Sequence, residues 1–321
     1  MKAAVFSRYG PPEVVQIRSV EKPVPRDHEV LIQVRAASLN PLDWHILRGK
    51  PYILRLMGGL RAPKDSRCGR DVAGSVIAVG RNVTQFKVGD GVFGECRGAV
   101  AEFACAAESA LALKPDTVTF EQSAAVPIAA FTALQSLRDK GHIQPGHQVL
   151  INGAAGGVGT FAVQIAKGFG AKVTGVCSTS NVDLVRSLGA EVMDYTREDF
   201  TQSARRFDLL LDCVGNRSLL ACRRVLNPQG TYVTITGPDG LWLGPLARFL
   251  STLVVSRFVS QNLVPVIANP NPPDLQLLRE LLASGKLVPV IDKIYPLSEV
   301  PEAIRYLEAG HARGKVLIRL E

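Results

Sequence analysis

The sequence predicts an α/β protein in which a doubly wound parallel sheet is combined with a small β-barrel. From about residue 121 to residue 262, strand-like apolar runs alternate with helix-like patterns, and this alternation is typical of a parallel sheet with helices on its faces. Before and after that stretch, glycine and proline separate short apolar runs, which favours the strands of a barrel. The sheet domain is therefore expected to be inserted into the barrel domain, with domains of 1–122, 123–262 and 263–321.

Individual elements follow from hydrophobic periodicity and from the residues that begin and end helices. Barrel strands are predicted at residues 30–37, 73–80, 88–94, 287–294 and 315–320, with a helix at 297–309. Strands of the parallel sheet are predicted at residues 148–152, 172–177, 191–195, 207–213 and 231–236. Helices around them are predicted at residues 121–138, at 180–189 with Ser180 as N-cap, and at 218–226 before a turn at 227–230.

A glycine-rich loop is the strongest indication of a ligand. Residues 151–159 are Ile-Asn-Gly-Ala-Ala-Gly-Gly-Val-Gly, between a predicted strand and a helical pattern that starts at Thr160. In this context glycines let a pyrophosphate touch the backbone, while the helix N-terminus attracts negative charge. The loop departs from G-x-G-x-x-G at Ala154. The residues expected to bind the pyrophosphate are Ala155, Gly156, Gly157, Val158 and Gly159.

The tip of the second sheet strand predicts which nicotinamide cofactor binds. NAD-binding proteins place an acid about 20 residues after the glycine loop, on the ribose 2′-hydroxyl, but residues 177–181 contain none. Ser178, Thr179 and Asn181 leave room for a 2′-phosphate and can donate hydrogen bonds to it, and Tyr195 offers a phenolic donor. NADPH is therefore expected, although an ordinary helix cap also explains part of this pattern.

Two further strand ends are candidates for the ribose and nicotinamide part of the cofactor. Residues 212–215 and 235–237 lie at the carboxyl ends of the fourth and fifth sheet strands, and ligands of open α/β sheets bind at the carboxyl ends of strands. Cys213, Val214 and Thr236 are the expected contacts. An ordinary exit from strand to loop is the alternative explanation for each of them.

Charge and cysteine content limit the class of protein. The net charge is +8 and the pI about 9.3, but the basic residues are dispersed, so nucleic-acid binding is not expected and an anionic cofactor accounts for part of the charge. The six cysteines form no C-x-x-C pair, which predicts buried free thiols rather than a disulfide framework or a metal cluster. The start has no secretory or Arg-rich presequence pattern, so a cytoplasmic location is expected.

Several segments match one known family in order and in spacing. They are residues 68–76, 86–94 and 154–159, Leu188-Gly189-Ala190 followed by Asp194-Tyr195, and residues 314–318. On these segments the chain resembles the medium-chain dehydrogenase/reductase superfamily over nearly its full length, and its zinc-free quinone oxidoreductase (zeta-crystallin-like) branch in particular. The resemblance implies a GroES-like catalytic barrel, a Rossmann cofactor domain and an active site between them, and alanine at position 154 is common in this branch.

The resemblance also assigns residues and a partner. Asn181 stands where some relatives have a lysine for the 2′-phosphate, which lowers the expected electrostatic attraction for NADPH. Relatives often dimerise through the edge of the cofactor sheet, so the resemblance implies a homodimer. The residues implied to contact the cofactor are Thr132, Phe258 and Val259 at the nicotinamide, Tyr195 at the 2′-phosphate, and Lys315.

The resemblance further implies that no zinc is bound. Zinc-dependent alcohol dehydrogenases of this superfamily have a cysteine near residue 40 and Gly-His-Glu near residue 70, where this chain has Asn40 and Gly69-Arg70-Asp71. Neither asparagine nor arginine is a usual zinc ligand. An isolated ketone needs a Lewis acid to stabilise the developing charge, whereas a quinone or an α,β-unsaturated carbonyl delocalises that charge by conjugation.

The expected function is therefore transfer of hydride from NADPH to a quinone or another conjugated carbonyl. Asn40, Asp43 and Tyr52 are candidates for the site that receives the acceptor oxygen. A turn before Pro41 is the alternative explanation for Asn40, and simple packing is the alternative for Tyr52. A 2-alkenal or enone reductase and a non-catalytic NADPH-binding protein are the competing hypotheses.

One apolar stretch lies outside this scheme. Apolar residues recur at helical spacing between residues 246 and 258, which predicts an amphipathic helix that is too short to span a bilayer. A helix that covers the sheet edge or lines the substrate cleft is the simpler expectation, and peripheral contact with a membrane is the alternative. The residues of this apolar stripe are Leu246, Phe249, Leu250, Leu253, Val254 and Phe258.

Overall fold

A computed structural model describes residues 1–236 and 245–320, and its architecture confirms the predicted α/β fold class. The chain divides into two compact units. The barrel unit comprises Met1–Phe131 and Pro270–Glu321, and the sheet unit comprises Thr132–Asn269. The boundaries predicted after residues 122 and 262 precede the observed divisions by nine and seven residues.

The described residues form the following strands and helices. The strands are β1 (Lys2–Val5), β2 (Gln16–Ser19), β3 (Glu29–Leu39), β4 (Asp71–Val79), β5 (Gly91–Glu95), β6 (Phe103–Ala107), β7 (Leu111–Leu113), β8 (Gln148–Asn152), β9 (Lys172–Cys177), β10 (Glu191–Asp194), β11 (Phe207–Asp212), β12 (Leu226–Thr234), β13 (Asn262–Pro265), β14 (Ile291–Pro296) and β15 (Lys315–Arg319). The helices are α1 (Pro41–Arg48), α2 (Ile53–Gly58), α3 (Phe120–Ala124), α4 (Pro127–Gln135), α5 (Gly157–Gly168), α6 (Val182–Ser187), α7 (Leu219–Arg224), α8 (Pro245–Val255), α9 (Pro272–Ala283) and α10 (Val300–Glu308).

The barrel unit is built around the long strand β3. One sheet has the order β14-β15-β3-β4-β5-β7, and β6 also pairs with β3. Alternate residues of β3, Val30, Ile32 and Val34, are buried with Val316 and Ile318 of β15 in one apolar core, as the period of two in a strand requires. The first and last parts of the chain therefore share this core.

The sheet unit contains six parallel strands in the order β10-β9-β8-β11-β12-β13. Strands β8 and β9 have the predicted bounds. Leu209, Leu210 and Leu211 of β11 are all buried, because a parallel strand with helices on both faces of its sheet is apolar throughout. The parallel strands have their carboxyl ends at one edge of the sheet, and we call this edge the cofactor edge. It carries the starts of the loops that follow β8, β9, β10, β11 and β12.

Several predicted helix and strand limits were wrong. The helix predicted at 121–138 is interrupted between α3 and α4, because Pro127 has no backbone N–H and disfavours helical geometry in the preceding residue. Ser180 is not an N-cap, because it lies inside a 3₁₀ turn (Thr179–Asn181) that precedes α6. Among the other differences, β12 starts at Leu226 and includes the predicted turn, β14 starts at Ile291, and α10 starts at Val300.

Helix α8 forms as predicted, but a different face of it is buried. Arg248 and Thr252 point into the sheet unit, and the Arg248 guanidinium donates hydrogen bonds to two carbonyl oxygens of the loop 215–217. These bonds satisfy the guanidinium and turn the apolar stripe outward. Among the described residues, no helix combines the length and apolar character needed to cross a membrane. The exposed members of the stripe are Leu250, Leu253, Val254 and Phe258.

Candidate functional site

The glycine loop after β8 has the geometry of a pyrophosphate site. Gly153 has a φ of 87°, a left-handed conformation that suits glycine. Gly156 is the extended N-cap residue of α5, and no side chain caps the first turn of that helix, so its backbone N–H groups are available to an anion. A Cβ atom on Gly159 would overlap the Gly153 carbonyl oxygen and lie 2.8 Å from the Ala154 Cα. Gly159 therefore allows α5 to pack against the loop.

A buried carboxylate fixes the neighbouring loop at the end of β11. Asp212 Oδ1 accepts hydrogen bonds from Asn152 Nδ2 at 2.8 Å and from the backbone N–H of Gly215 at 2.8 Å. Asp212 Oδ2 accepts one from the Tyr232 hydroxyl at 2.7 Å, and burial followed by the Asp212 charge raises the pKa of Tyr232. These bonds order the loop that carries Cys213 and Val214, two of the predicted cofactor contacts. The sequence prediction did not single out Asp212.

At the end of β9, a carboxylate from the adjacent strand lies beside the predicted phosphate site. Asp194 is paired with Cys177 in the sheet, and its carboxylate accepts hydrogen bonds from the hydroxyls of Thr179 at 2.5 Å and Thr196 at 2.7 Å. These bonds lower the pKa of Asp194. The Thr179 hydroxyl is thus already donated within the protein. Sequence reasoning missed Asp194 because it searched only the tip of β9, whereas this acid comes from β10.

Cationic and phenolic groups surround the same strand tip. Arg197 Nε lies 3.6 Å from Asp194 Oδ2, and the Arg197 side chain is 76% exposed. Tyr195 is exposed. Asn181 Nδ2 donates to Ser178 Oγ at 3.1 Å, while Asn181 Oδ1 is buried and has no partner among the described residues. The sequence analysis did not identify Arg197. In the described part of the chain, its guanidinium forms an ion pair with Asp194.

The remaining predicted contacts of the sheet unit occupy different environments. Thr132 lies in α4, and the Thr236 carbonyl oxygen accepts a hydrogen bond from Thr234 Oγ1 at 2.6 Å. Phe258 is exposed, whereas Val259 packs against the core of the sheet unit. Gly237, which was part of the predicted strand end, lies outside the described residues.

The barrel unit contains a buried charged network that includes Asn40. Lys315 Nζ donates to Asn40 Oδ1 at 2.6 Å and lies 3.4 Å from Asp71 Oδ2. Asn40 Nδ2 donates to the same Asp71 oxygen at 2.9 Å, and Asp71 Oδ1 accepts the backbone N–H of Ile128 at 3.1 Å. The side chains of Lys315 and Asp71 are 3% and 0% exposed. The Lys315 ammonium, a predicted cofactor contact, is bonded inside the barrel unit.

Asp43 completes this cluster at the start of α1. Its Oδ2 accepts the backbone N–H of Asn40 at 2.7 Å in a capping box. Burial, together with the nearby charge of Asp71, raises the pKa of Asp43 to about 6, against the lowering effect of that hydrogen bond and of Lys315. Burial also raises the pKa of Asp71, and Lys315 opposes this effect. The cluster therefore combines two carboxyl groups whose protons are held more tightly than usual with one ammonium.

Tyr52, the third catalytic candidate, precedes α2 and packs with a cation. The Arg55 guanidinium lies 4.8 Å from the centroid of the Tyr52 ring and 4.6 Å from that of Tyr9. This stacking is a cation–π arrangement. It agrees with the packing alternative considered for Tyr52, and it fixes the ring beside a positive charge.

The residues at the family's zinc positions do not fit a zinc ion. Arg70 carries a positive charge and forms an ion pair with Glu95, with Nη1 2.7 Å from Oε1. The Asn40 carboxamide bonds to Lys315 and Asp71. The Arg70 guanidinium and the Lys315 ammonium repel a divalent cation, and the Asn40 oxygen is already bonded to Lys315. Across residues 1–236 and 245–320, no three histidine, cysteine, aspartate or glutamate residues are grouped as a metal site.

Two family models match the chain. Residues 26–116 match the family described as "Alcohol dehydrogenase GroES-like domain", and residues 188–318 match the family described as "Zinc-binding dehydrogenase". A GroES-like unit and a parallel sheet with this glycine loop define a nicotinamide-dependent oxidoreductase of the medium-chain class.

Comparisons with whole proteins narrow the class. The chain is 32% identical to the chloroplast envelope quinone oxidoreductase homolog of Arabidopsis thaliana, over 99% of this chain and 98% of that protein. It is 34% identical to the NADPH-dependent alkenal/one oxidoreductase of the same plant, over 99% and 79%. The structure of the quinone oxidoreductase from Coxiella burnetii superposes with a TM-score of 0.89 at 30% identity, over 100% and 99%. The chain belongs to the quinone oxidoreductase-like branch of the medium-chain dehydrogenase/reductase superfamily.

Proposed function

We propose that this protein is an NADPH-dependent reductase of quinones or other conjugated carbonyls that works without zinc. The observation that carries the proposal is the pair of ionic contacts at the family's zinc positions, Lys315 with Asn40 and Asp71, and Arg70 with Glu95. With no metal to stabilise an isolated alkoxide, the acceptor itself must spread the charge that hydride brings. Quinones and enones do so by conjugation.

The chain's own groups are assigned to binding and orientation. The bound nicotinamide supplies the hydride, and the glycine loop with the N-terminus of α5 holds its pyrophosphate. Asn40, Asp43 and Tyr52 are proposed to receive the acceptor oxygen. Asn40 Nδ2 has a second proton with no partner among the described residues, and Lys315 polarises the same amide through Oδ1. The Asp43 carboxyl, whose pKa is raised to about 6, can hold a proton nearby.

Two kinds of acceptor are supported by the relatives. The Arabidopsis envelope protein and the Coxiella protein are described as quinone oxidoreductases, and the second Arabidopsis protein as an alkenal/one oxidoreductase. NADPH oxidation followed by absorbance should be fast with 1,4-benzoquinone or 9,10-phenanthrenequinone. Faster turnover of a 2-alkenal would favour the enone reductase hypothesis instead. Cofactor binding without turnover of any acceptor would refute an enzymatic role.

The same preparation tests the other parts of the proposal. Elemental analysis of the purified active protein should find no stoichiometric zinc, and a zinc content of one per chain would disprove the metal-free reaction. A cytoplasmic location is proposed because all six cysteines are free thiols, and cell fractionation tests it. A homodimer through the edge strand β13 is proposed by family analogy, and analytical ultracentrifugation tests it.

A further inference from the structure

Helix α8 presents an apolar face that the sheet unit does not cover. Leu250, Leu253 and Val254 are 55%, 52% and 60% exposed, and Phe258 follows at 83% in the 3₁₀ turn after the helix. Scattered apolar residues on a surface need no explanation, but neighbours on one helix face mark an interaction surface. We call Leu250, Leu253, Val254 and Phe258 the outward face.

The orientation of α8 is fixed by bonds on its opposite side. Arg248 Nη2 donates to the Gly215 carbonyl oxygen at 3.2 Å and also to the Arg217 carbonyl oxygen, and Thr252 is fully buried. Val255 packs against the core of the sheet unit. A rotation of the helix that buried the outward face would expose these contacts and leave the Arg248 guanidinium without its acceptors. The outward face is therefore a stable feature of the surface.

Arginine is the main charged residue type in the part of the chain that carries the outward face. Between residues 213 and 269 the sequence has five arginines, one aspartate, and neither lysine nor glutamate. Arg257 and Arg224 are exposed, and Arg223 Nε donates to Gln261 Oε1 at 2.7 Å, which places the end of α7 next to the chain segment that follows Phe258. Apolar side chains bordered by arginines complement a surface that is both apolar and anionic.

We propose that the outward face and its flanking arginines bind the surface of an anionic lipid membrane. Leu, Val and Phe side chains on one helix face enter the boundary between headgroups and acyl chains, while arginines contact lipid phosphates. A second copy of this chain is a poorer occupant, because a two-fold contact would bring the same arginines together. The face is about 12 Å long from Leu250 to Phe258 and about 10 Å wide. It therefore covers on the order of 120 Å², far less than the roughly 800 Å² per partner of a stable dimer.

The contact has a consequence for substrate access. Because Arg248 of α8 bonds to the loop after β11, the helix lies beside the cofactor edge, and binding through its outward face would bring that edge close to the lipid. A membrane-dissolved acceptor would then reach the protein without crossing water. The membrane contact itself does not depend on the proposed reaction, since it rests only on α8 and its surroundings.

Sedimentation of the full chain with lipid vesicles tests the proposal. The protein should sediment with vesicles of phosphatidylcholine and phosphatidylglycerol, much less with phosphatidylcholine alone, and should be released by added salt. Leu253→Asp should lower the partition coefficient by about tenfold or more, because a leucine side chain no longer leaves water. Arg257→Glu should weaken binding to the anionic vesicles only.

A substitution on the barrel unit serves as the matched control for this experiment. Val24→Asp changes an equally apolar, 82% exposed side chain of the barrel unit and should leave vesicle binding unchanged. Circular dichroism of each variant verifies the fold. No sedimentation of the wild type with anionic vesicles, or equal sedimentation of Leu253→Asp, would overturn the proposal. So would a dimer in ultracentrifugation that Leu253→Asp dissociates without any vesicle binding, since the face would then join two copies.

Discussion

Lys315 joins parts of the chain that are far apart in sequence. Its ammonium bonds to Asn40, 275 residues away, and pairs with Asp71. Sequence reasoning could identify Asn40 and Arg70, because the neighbouring motifs locate the zinc positions. It could not pair Lys315 with them, because nothing in the local pattern at residue 315 indicates where a strand of the barrel places its side chains.

The first residue-scale prediction concerns this buried pair. Lys315→Met should destabilise the protein by about 3–5 kcal/mol, because Asp71 is left as an unpaired buried charge. In an Asp71→Asn background the same change should cost much less, because no buried carboxylate remains. Urea unfolding of the four proteins in this double-mutant cycle measures the difference. Equal costs in the two backgrounds would show that the ion pair contributes nothing.

Asp43 makes stability depend on pH in the opposite sense from most carboxyl groups. Its pKa is raised from 3.8 to about 6, so the folded protein binds the proton more tightly than the unfolded chain. The stabilisation is complete below pH 3.8 and is lost as the pH rises through about 6. As the pH rises from 3.8 to about 6, the free energy of unfolding of Asp43→Asn should therefore increase by about 2–3 kcal/mol relative to that of wild type. A constant difference across this range in urea unfolding would contradict the raised pKa.

Arg197 should decide between the two nicotinamide cofactors. Asp194 places a negative charge beside the predicted 2′-phosphate site, and Arg197 supplies the adjacent positive charge. Arg197→Ala should lower kcat/KM for NADPH by about fivefold to tenfold, the size of one exposed charged contact, and leave NADH unchanged. Lys172→Ala, at the opposite end of β9, removes the same charge and should change neither value. A better kcat/KM for NADH than for NADPH in the wild type would disprove the cofactor proposal.

At the scale of elements, the sequence predicted best where one local signal was sufficient. Strands β8 and β9 and the glycine loop follow from apolar runs bounded by glycine. The orientation of α8 could not be predicted in this way, because periodicity shows that a helix has two faces and does not show which of them the protein buries. The side of α8 that carries Arg248 is buried because carbonyl groups of the loop 215–217 accept hydrogen bonds from the Arg248 guanidinium.

Two glycines of α5 provide an element-scale test with an internal control. Gly159→Ala places a methyl group against the Gly153 carbonyl oxygen, so α5 must move away from the loop, and the protein should lose about 1–3 kcal/mol of stability and most of its NADPH affinity. Gly168→Ala, at the end of the same helix, meets no atom within 4 Å and should be neutral or stabilising by up to about 1 kcal/mol. Thermal unfolding and cofactor titration separate the two outcomes. Equal behaviour of both variants would disprove the packing role of Gly159.

At the scale of the whole molecule, each unit has its own apolar core. The sequence predicted the insertion of one unit into the other, because the change in strand rhythm is visible along the chain. The division itself lies several residues beyond the predicted boundaries, because a boundary depends on which unit a residue contacts rather than on its local pattern.

Because the glycine loop belongs to the sheet unit, the cofactor should stabilise that unit directly. With NADPH at about 100 times its Kd, the native sheet unit should gain about 2.7 kcal/mol, and its unfolding transition in calorimetry should move to higher temperature. Gly159→Ala should abolish that shift. A shift of the same size in this variant would place the cofactor away from the glycine loop.

The ionic contacts around Asn40 and Arg70 also determine how readily the family's zinc ligands could be introduced at these positions. Introducing a cysteine at position 40 and a histidine at position 70 would remove one acceptor of Lys315 and the counter-charge of Glu95. The first change would leave Lys315 with Asp71 but without its shortest hydrogen bond, and the second would leave the half-buried Glu95 without its counter-charge, so each single step should cost stability. A zinc site at these positions would therefore require several coordinated substitutions.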